Sequence, residues 1–163
     1  MTTIVNVTRM AGRLQKEIRQ RKPFVSLEEE TYLNLVRTAD ALSRELELVL
    51  QPHGITGTQY NVLRILRGAG AEGSTCSGIS ERLLAYDPDV TRLLDRLEKT
   101  SLVQRQRSTT DRRVVMTTIT PAGLELLAKL DGPIESQLRR QFEKISRERL
   151  RQLIADLEEI RSR

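Results

Sequence analysis

Residues Ala85–Ile119 read AYDPDVTRLLDRLEKTSLVQRQRSTTDRRVVMTTI, and the rest of the chain is organised around them. The first part has helical period. Asp87 is placed as an N-cap whose carboxylate accepts from the free N–H groups of a first turn. Pro88 follows at the first helical position, where a missing N–H costs nothing. Val90, Leu93, Leu94 and Leu97 fall at i, i+3, i+4 and i+7, one apolar stripe. Thr91, Arg92, Asp95, Arg96 and Lys99 take the other face. The spacing predicts a helix from Asp87 to Thr100 that is fixed to a core on one side and offers cations and hydroxyls on the other.

A hairpin is expected next. Leu102–Arg107 alternates loosely, with Val103, Arg105 and Arg107 on one parity, and Val114–Ile119 is β-branched and strand-like. Ser108-Thr109-Thr110-Asp111-Arg112 makes a polar turn between them. Four arginines (Arg105, Arg107, Arg112 and Arg113) stand against the single carboxylate of Asp111. A short cationic ribbon beside an amphipathic helix suits a polyanion with grooves.

Outward from this stretch the chain is helical. Ser26-Leu27-Glu28-Glu29 is a capping box that opens a long helix to about Leu50. Tyr32, Leu35, Val36, Ala39, Leu42, Leu46 and Val49 keep its period, and Pro52-His53-Gly54 ends it. Thr56-Gly57-Thr58-Gln59 is a second capping box, and Val62, Leu63, Ile65 and Leu66 are the buried candidates of its helix. Gly68 and Gly70 should stop that helix before a loop over Ala69–Ser74. Thr75 or Cys76 begins a short helix through Leu84, and a tight turn at Ala85-Tyr86 leads into the stretch quoted above. Short helix, turn and second helix with a polar outer face is the helix-turn-helix layout.

After the hairpin, Thr120-Pro121 caps a helix carried by Leu124, Leu127, Ala128 and either Ile134 or Leu138, across a kink at Gly132-Pro133. Ile145-Ser146 starts the last helix, with Leu150 as the staple partner of Ile145. Leu150, Leu153, Ile154, Leu157 and Ile160 make an apolar stripe that needs a cover. A second subunit is the economical one.

Composition excludes several classes. With one His and one Cys in 163 residues, and no glycine-rich phosphate loop, the inventory argues against an enzyme and gives no metal-ligand spacing. No cofactor is expected. Asp156 and Glu159 are surface charges of one helix, and His53 reads as a helix-end or surface residue. No stretch approaches the roughly 20 apolar residues of a membrane span, no apolar signal segment is seen, and a lone cysteine forms no internal disulfide, so the expected location is cytoplasmic. The net charge of +5 says less than its distribution. Residues 1–25 hold six cations (Arg9, Arg13, Lys16, Arg19, Arg21 and Lys22) against Glu17, so the remainder is neutral. The argument for DNA therefore rests on the helix and hairpin and not on the overall pI.

The run VTRLLDRLEKTSLVQRQRSTTDRRVVMTTITPAG resembles the winged-helix signature of the multiple-antibiotic-resistance-regulator (MarR) family of transcription factors. The matching elements are Val90-Thr91-Arg92, Leu94-Asp95-Arg96-Leu97-Glu98, the Asp111-Arg112-Arg113 wing and Thr120-Pro121-Ala122-Gly123. Leu50–Leu66 (LQPHGITGTQYNVLRIL) matches upstream, and the resemblance runs from about Glu29 onward. It implies a mainly α fold with a small β-wing, a winged helix-turn-helix with long N- and C-terminal dimerisation helices. The division follows: a basic arm over 1–25, a dimerisation helix over 26–56, a winged-helix DNA-binding domain over 57–119, and C-terminal dimerisation helices over 120–163. It also implies a homodimer on an inverted repeat in double-stranded DNA, usually repressing transcription until a small-molecule effector binds between the dimer helices and the winged helix.

On that fold, Asp89, Thr91 and Arg92 are placed for base edges, Asp89 accepting from a cytosine N4. Arg96 and Lys99 meet phosphates. Arg105 and Arg107 contact phosphates or solvate their strand, and Arg112 and Arg113 belong to the wing. The family pattern implies that Asp111 positions the wing, holding Arg113 or a neighbour so that a guanidinium points into a narrow minor groove. Without cap, turn and wing, Arg92 and Arg96 would read as surface charges paired with Asp89 or Asp95. Cys76 reads as a small packed residue. The relatives that sense oxidants carry cysteine near the start of the first long helix, where this chain has none. The rival function is a winged helix used for protein contacts without DNA.

Overall fold

The computed structural model describes residues 13–162 except 88, 108–110 and 112. Among the described residues the chain is mainly helical with one two-stranded sheet, the expected class. It divides into two compact units, Met1–Ser43 and Arg44–Arg163.

The first unit holds α1 (Arg13–Glu17) and most of α2 (Leu27–Leu50). Ser26 starts α2 as its sequence predicts, its Oγ accepting from the Glu29 N–H at 3.1 Å. The return bond is shifted by one residue: Glu29 Oε2 accepts from the Val25 N–H at 2.6 Å, not from the N-cap itself. Tyr32 and Val36, two positions of the apolar period, are exposed.

In the second unit α2 ends at a short 3-10 turn over Gln51–His53. Thr56 and Gln59 then form a complete reciprocal capping box at the head of α3 (Gly57–Ala69). Gly68 lies inside α3, so only Gly70 stops it; a single glycine costs a helix about 1 kcal/mol and does not break it. The short helix α4 spans Cys76–Arg82, capped by Thr75. It ends before Leu84, which is exposed along with Tyr86, so a longer connection replaces the expected tight turn. Helix α5 (Val90–Lys99) buries Val90, Leu93, Leu94 and Leu97, the whole of its predicted stripe.

Strands β1 (Val103–Arg107) and β2 (Val115–Ile119) pair antiparallel with Val103 opposite Ile119 and Arg107 opposite Val115. A contact invisible to periodicity lies at the middle of β2. Ser74 exchanges two 2.9 Å backbone bonds with Thr117, adding a bridge to the sheet's edge. Gly73, at φ +69°, makes this possible, because a Cβ there would sit 2.3 Å from the Thr117 carbonyl oxygen.

Helix α6 (Pro121–Phe142) is one helix through Pro133, and α7 covers Arg147–Arg161. Thr120 joins α6 to the hairpin, its Oγ accepting from the Gly123 N–H at 3.1 Å and donating to the Ser101 carbonyl at 2.7 Å. Gly123 is required by close approach: a Cβ would lie 2.4 Å from the Leu102 carbonyl oxygen. Ile134, not Leu138, continues the buried side of α6, and the next turn buries Gln137. Among the described residues neither amide atom of Gln137 has a hydrogen-bond partner. One core collects Leu63 and Leu66 of α3, Ile79 of α4, Leu94 and Leu97 of α5, Val103 of β1, and Leu127 and Leu130 of α6. Arg67 reaches both carboxylate oxygens of Asp131, at 2.8 and 3.2 Å, and ties α3 to α6. Helix α7 buries no residue. Among the described residues no helix is long and apolar enough to cross a membrane.

Candidate nucleic-acid interface

Helix α5 presents Thr91, Arg92, Arg96 and Lys99, all exposed, because its apolar stripe is committed to the core. Arg92, Arg96 and Lys99 fall at i, i+4 and i+7, a line along one face. The cap differs from the sequence expectation. Asp89, not Asp87, is the N-cap, its Oδ1 accepting from the Arg92 N–H at 3.1 Å. Asp87 Oδ1 accepts one step earlier, from the Asp89 N–H at 2.8 Å. Two aspartates on either side of a proline carry the same capping signal, so sequence alone favoured the wrong one, and Pro88 lies outside the described residues. The other oxygen of Asp89 meets Arg92 Nε at 3.0 Å. The carboxylate assigned to a cytosine is thus engaged twice, in capping α5 and in holding Arg92.

Cys76 is exposed, not packed, and its Sγ lies 3.8 Å from Thr91 Oγ1. The first residue of α4 therefore sits beside the first turn of α5. Leu84 donates its N–H to Asn61 Oδ1 at 2.9 Å, which fixes the α4–α5 connection to α3.

The hairpin arginines divide. Arg107 and Arg113 are exposed, and Arg112 lies outside the described residues. Arg105 is turned back onto α5. Its Nε is 2.9 Å from Glu98 Oε2, its Nη2 2.6 Å from Asp95 Oδ1, and its backbone N–H 3.2 Å from Glu98 Oε1. With 26% of its side chain exposed, Arg105 has little surface for a phosphate. The hydrogen bond from Arg105 holds the Glu98 carboxyl below its usual range, and the same contact raises Arg105 further. Any stability from this depressed carboxyl is present above its ordinary pKa and lost as pH falls through the lowered one. Asp95 and Glu98 at i, i+3 share a flank of α5 and Arg105 follows after a short joint, but only the angle of the hairpin brings the three together.

Asp111 has a backbone task. Its Oδ1 accepts from the Arg113 N–H at 2.9 Å, the geometry by which Asp shapes a turn around itself. The structure thus gathers Thr91, Arg92, Arg96 and Lys99 on one exposed helix face. It keeps Arg107 and Arg113 on the adjoining hairpin, and engages Asp89 and Arg105 within the protein. Among the described residues no group of three His, Cys, Asp or Glu side chains is placed to hold a metal ion.

A family model described as MarR family matches residues 55–115. A MarR transcription factor from Planctomyces limnophilus, known from a crystal structure, is 39% identical, covering 83% of this chain and 98% of that one with a TM-score of 0.65. The HTH-type transcriptional regulator PrsX of Escherichia coli is 31% identical over 72% of this chain and 73% of PrsX. The regulator MhqR of Bacillus subtilis is 29% identical over 59% of this chain, and the match spans 65% of MhqR, just under two thirds of its length. CouR of Rhodococcus jostii, solved bound to p-coumaroyl-CoA, is 26% identical, covering 84% of this chain and 95% of CouR with a TM-score of 0.70. With a capped outward-facing helix, a basic wing and these relatives all in agreement, the chain belongs to the MarR family of winged-helix transcription regulators.

Proposed function

We propose that this regulator binds an inverted-repeat operator as a homodimer and represses transcription from it. The observation that carries the reading is the outer face of α5, where Thr91, Arg92, Arg96 and Lys99 stand clear of the core beside exposed Arg107 and Arg113. Thr91 and Arg92, in the first turn, reach base edges in the major groove, and Arg96 and Lys99 reach phosphates further along. The wing arginines enter the adjacent minor groove, Arg112 among them. Asp111 shapes the turn that presents them. Asp89 serves by holding Arg92, so its own contact with a base is not part of this proposal.

Dimerisation is supported by α7, whose Leu153, Ile154 and Ile160 are exposed on a single helical stripe. The uncovered faces of residues 26–56 and 120–163 are the surfaces we assign to it, around a winged-helix domain over 57–119. Two copies then present their recognition helices to half-sites about 34–36 Å apart. Repression follows where such a dimer occupies promoter DNA and excludes polymerase. The ligand found in CouR supports a small-molecule effector here too. The role is one of binding, not catalysis, and it places the protein in the cytoplasm with the DNA it regulates.

Selection of bound duplexes from a random-sequence pool, followed by a gel shift on the region upstream of the protein's own gene, tests the proposal. A palindromic enriched sequence and a retarded band at nanomolar protein are expected. Enrichment of no sequence would leave a winged helix that contacts proteins.

A further inference from the structure

Thr100, Ser101 and Leu102 are all the chain that joins α5 to β1, and Ser101 turns there at φ 58°. So short a joint restrains the start of the hairpin, and the Ser74–Thr117 bridge holds its second strand, while the direction of β1 against α5 is left to side chains that cross the gap. Arg105, opposite Thr117 in the hairpin register, crosses it. Its guanidinium spans Asp95 Oδ1 at 2.6 Å and Glu98 Oε2 at 2.9 Å, while its own N–H reaches Glu98 Oε1 at 3.2 Å. We infer that Arg105 is a positioning residue that braces the wing against the recognition helix through Asp95 and Glu98, and does not itself contact DNA. This rests on the DNA-reading assignment above and adds a mechanism to it.

Three considerations carry the inference. A guanidinium held by two carboxylates and reinforced through its own backbone has a fixed plane, so the strand that bears it has a fixed direction. A wing ordered before binding loses less freedom on the DNA. The third concerns charge. Asp95 and Glu98 lie beside the line of Arg92, Arg96 and Lys99, where two bare carboxylates would repel phosphate. Arg105 cancels one of these charges and draws both groups toward the hairpin. To serve as a phosphate ligand it would have to give up both charge-assisted bonds and expose both carboxylates.

The test uses the full chain and a duplex that the wild type selects from random sequence. Arg105→Met keeps the aliphatic stem and removes the cation; Glu98→Gln removes one anchor. A brace predicts that each variant weakens binding about tenfold, and that the double variant is little worse than either single one, since all three break one arrangement. Repeated selection with Glu98→Gln should blur the positions read by the wing and leave those read by α5 sharp, a pattern that general loosening of the fold does not give. Thermal melts within a few degrees of wild type accompany this result. Tighter binding by Glu98→Gln would overturn the inference, because releasing Arg105 would then have supplied a phosphate contact. Unchanged binding by both single variants would overturn it equally. If the wild type selects no sequence, the DNA-reading assignment itself fails, which is a different result from either.

Discussion

Helices α5 and α7 carry the same kind of apolar stripe and meet opposite fates. Helix α5 buries Val90, Leu93, Leu94 and Leu97, whereas α7 buries nothing and leaves Ile154 and Ile160 more than half exposed. Helical period states that a face is to be covered; it does not state by what. For α5 the cover comes from its own chain, where α4 and β1 pack on it and its stripe joins the common core, so that stripe contributes to folding. For α7 no element of its own unit buries a residue of the stripe, and under the dimer proposed above that stripe should contribute to assembly.

The largest expected effect follows from that difference. Removing residues 146–163 should abolish the dimer while the winged-helix core still folds, as read by sedimentation and circular dichroism. A truncated chain that still sediments as a dimer would show that another surface joins the copies. Within the two stripes, Leu97→Ala should cost about 2–5 kcal/mol of folding stability, since Leu97 is fully buried and leaves a cavity. Leu153→Ala should change stability only through the dependence of the melt on protein concentration, which separates the two roles in one series of denaturant curves.

On the polar face of α5, Arg92→Ala should weaken operator binding by about 1–3 kcal/mol and relax preference at one base position per half-site. Unaltered preference would remove Arg92 from the list of base readers. In the wing, Asp111→Ala loses the bond to the Arg113 N–H and should weaken binding by about 0.5–1.5 kcal/mol, with the melt nearly unmoved. Asp111→Asn keeps a carbonyl acceptor and should restore most of it; failure of that rescue would point to the charge and a role toward a guanidinium. The smallest effect belongs to Ser101. A left-handed non-glycine residue costs roughly 1–2 kcal/mol, and glycine returns about 0.4–1 kcal/mol of that through the unfolded chain. Ser101→Gly should therefore raise stability slightly, and a lower melting temperature would show that the serine side chain has a task of its own.

Local signals were legible in the sequence wherever the physics is local. The capping box at Thr56 and Gln59, the caps at Thr120 and Ser146 and the stripe of α5 appear as read, because each depends on residues within one or two turns. The choice between Asp87 and Asp89 failed for the same reason in reverse: both satisfy the local rule, and Asp89 is the one that caps α5. Gln137 was missed because an apolar pattern passes over a polar side chain, and it left Ile134 and Leu138 as alternatives of which only Ile134 is buried. Contacts between elements were out of reach. The Ser74–Thr117 bridge needs Gly73 and β2 in one place, and the closing of Arg105 on Asp95 and Glu98 needs the angle of the hairpin. The exposed cations of α5 were legible as a face, while the withdrawal of Asp89 and Arg105 from that face was not.

Gly123 sets how motion passes between the two ends of this unit. Its missing side chain lets the first turn of α6 lie directly on the Leu102 carbonyl and on Ile119, with no atom to spare. A joint without slack transmits rotation instead of absorbing it. Helix α6 has 22 residues and is therefore about 33 Å long, so a tilt of about 5° corresponds to roughly 3 Å at its far end. That is about the length of a hydrogen bond. A tilt of α6 about its packing on α3 would be passed by this joint to the base of the wing, and a small displacement there would change the angle at which the wing meets its groove.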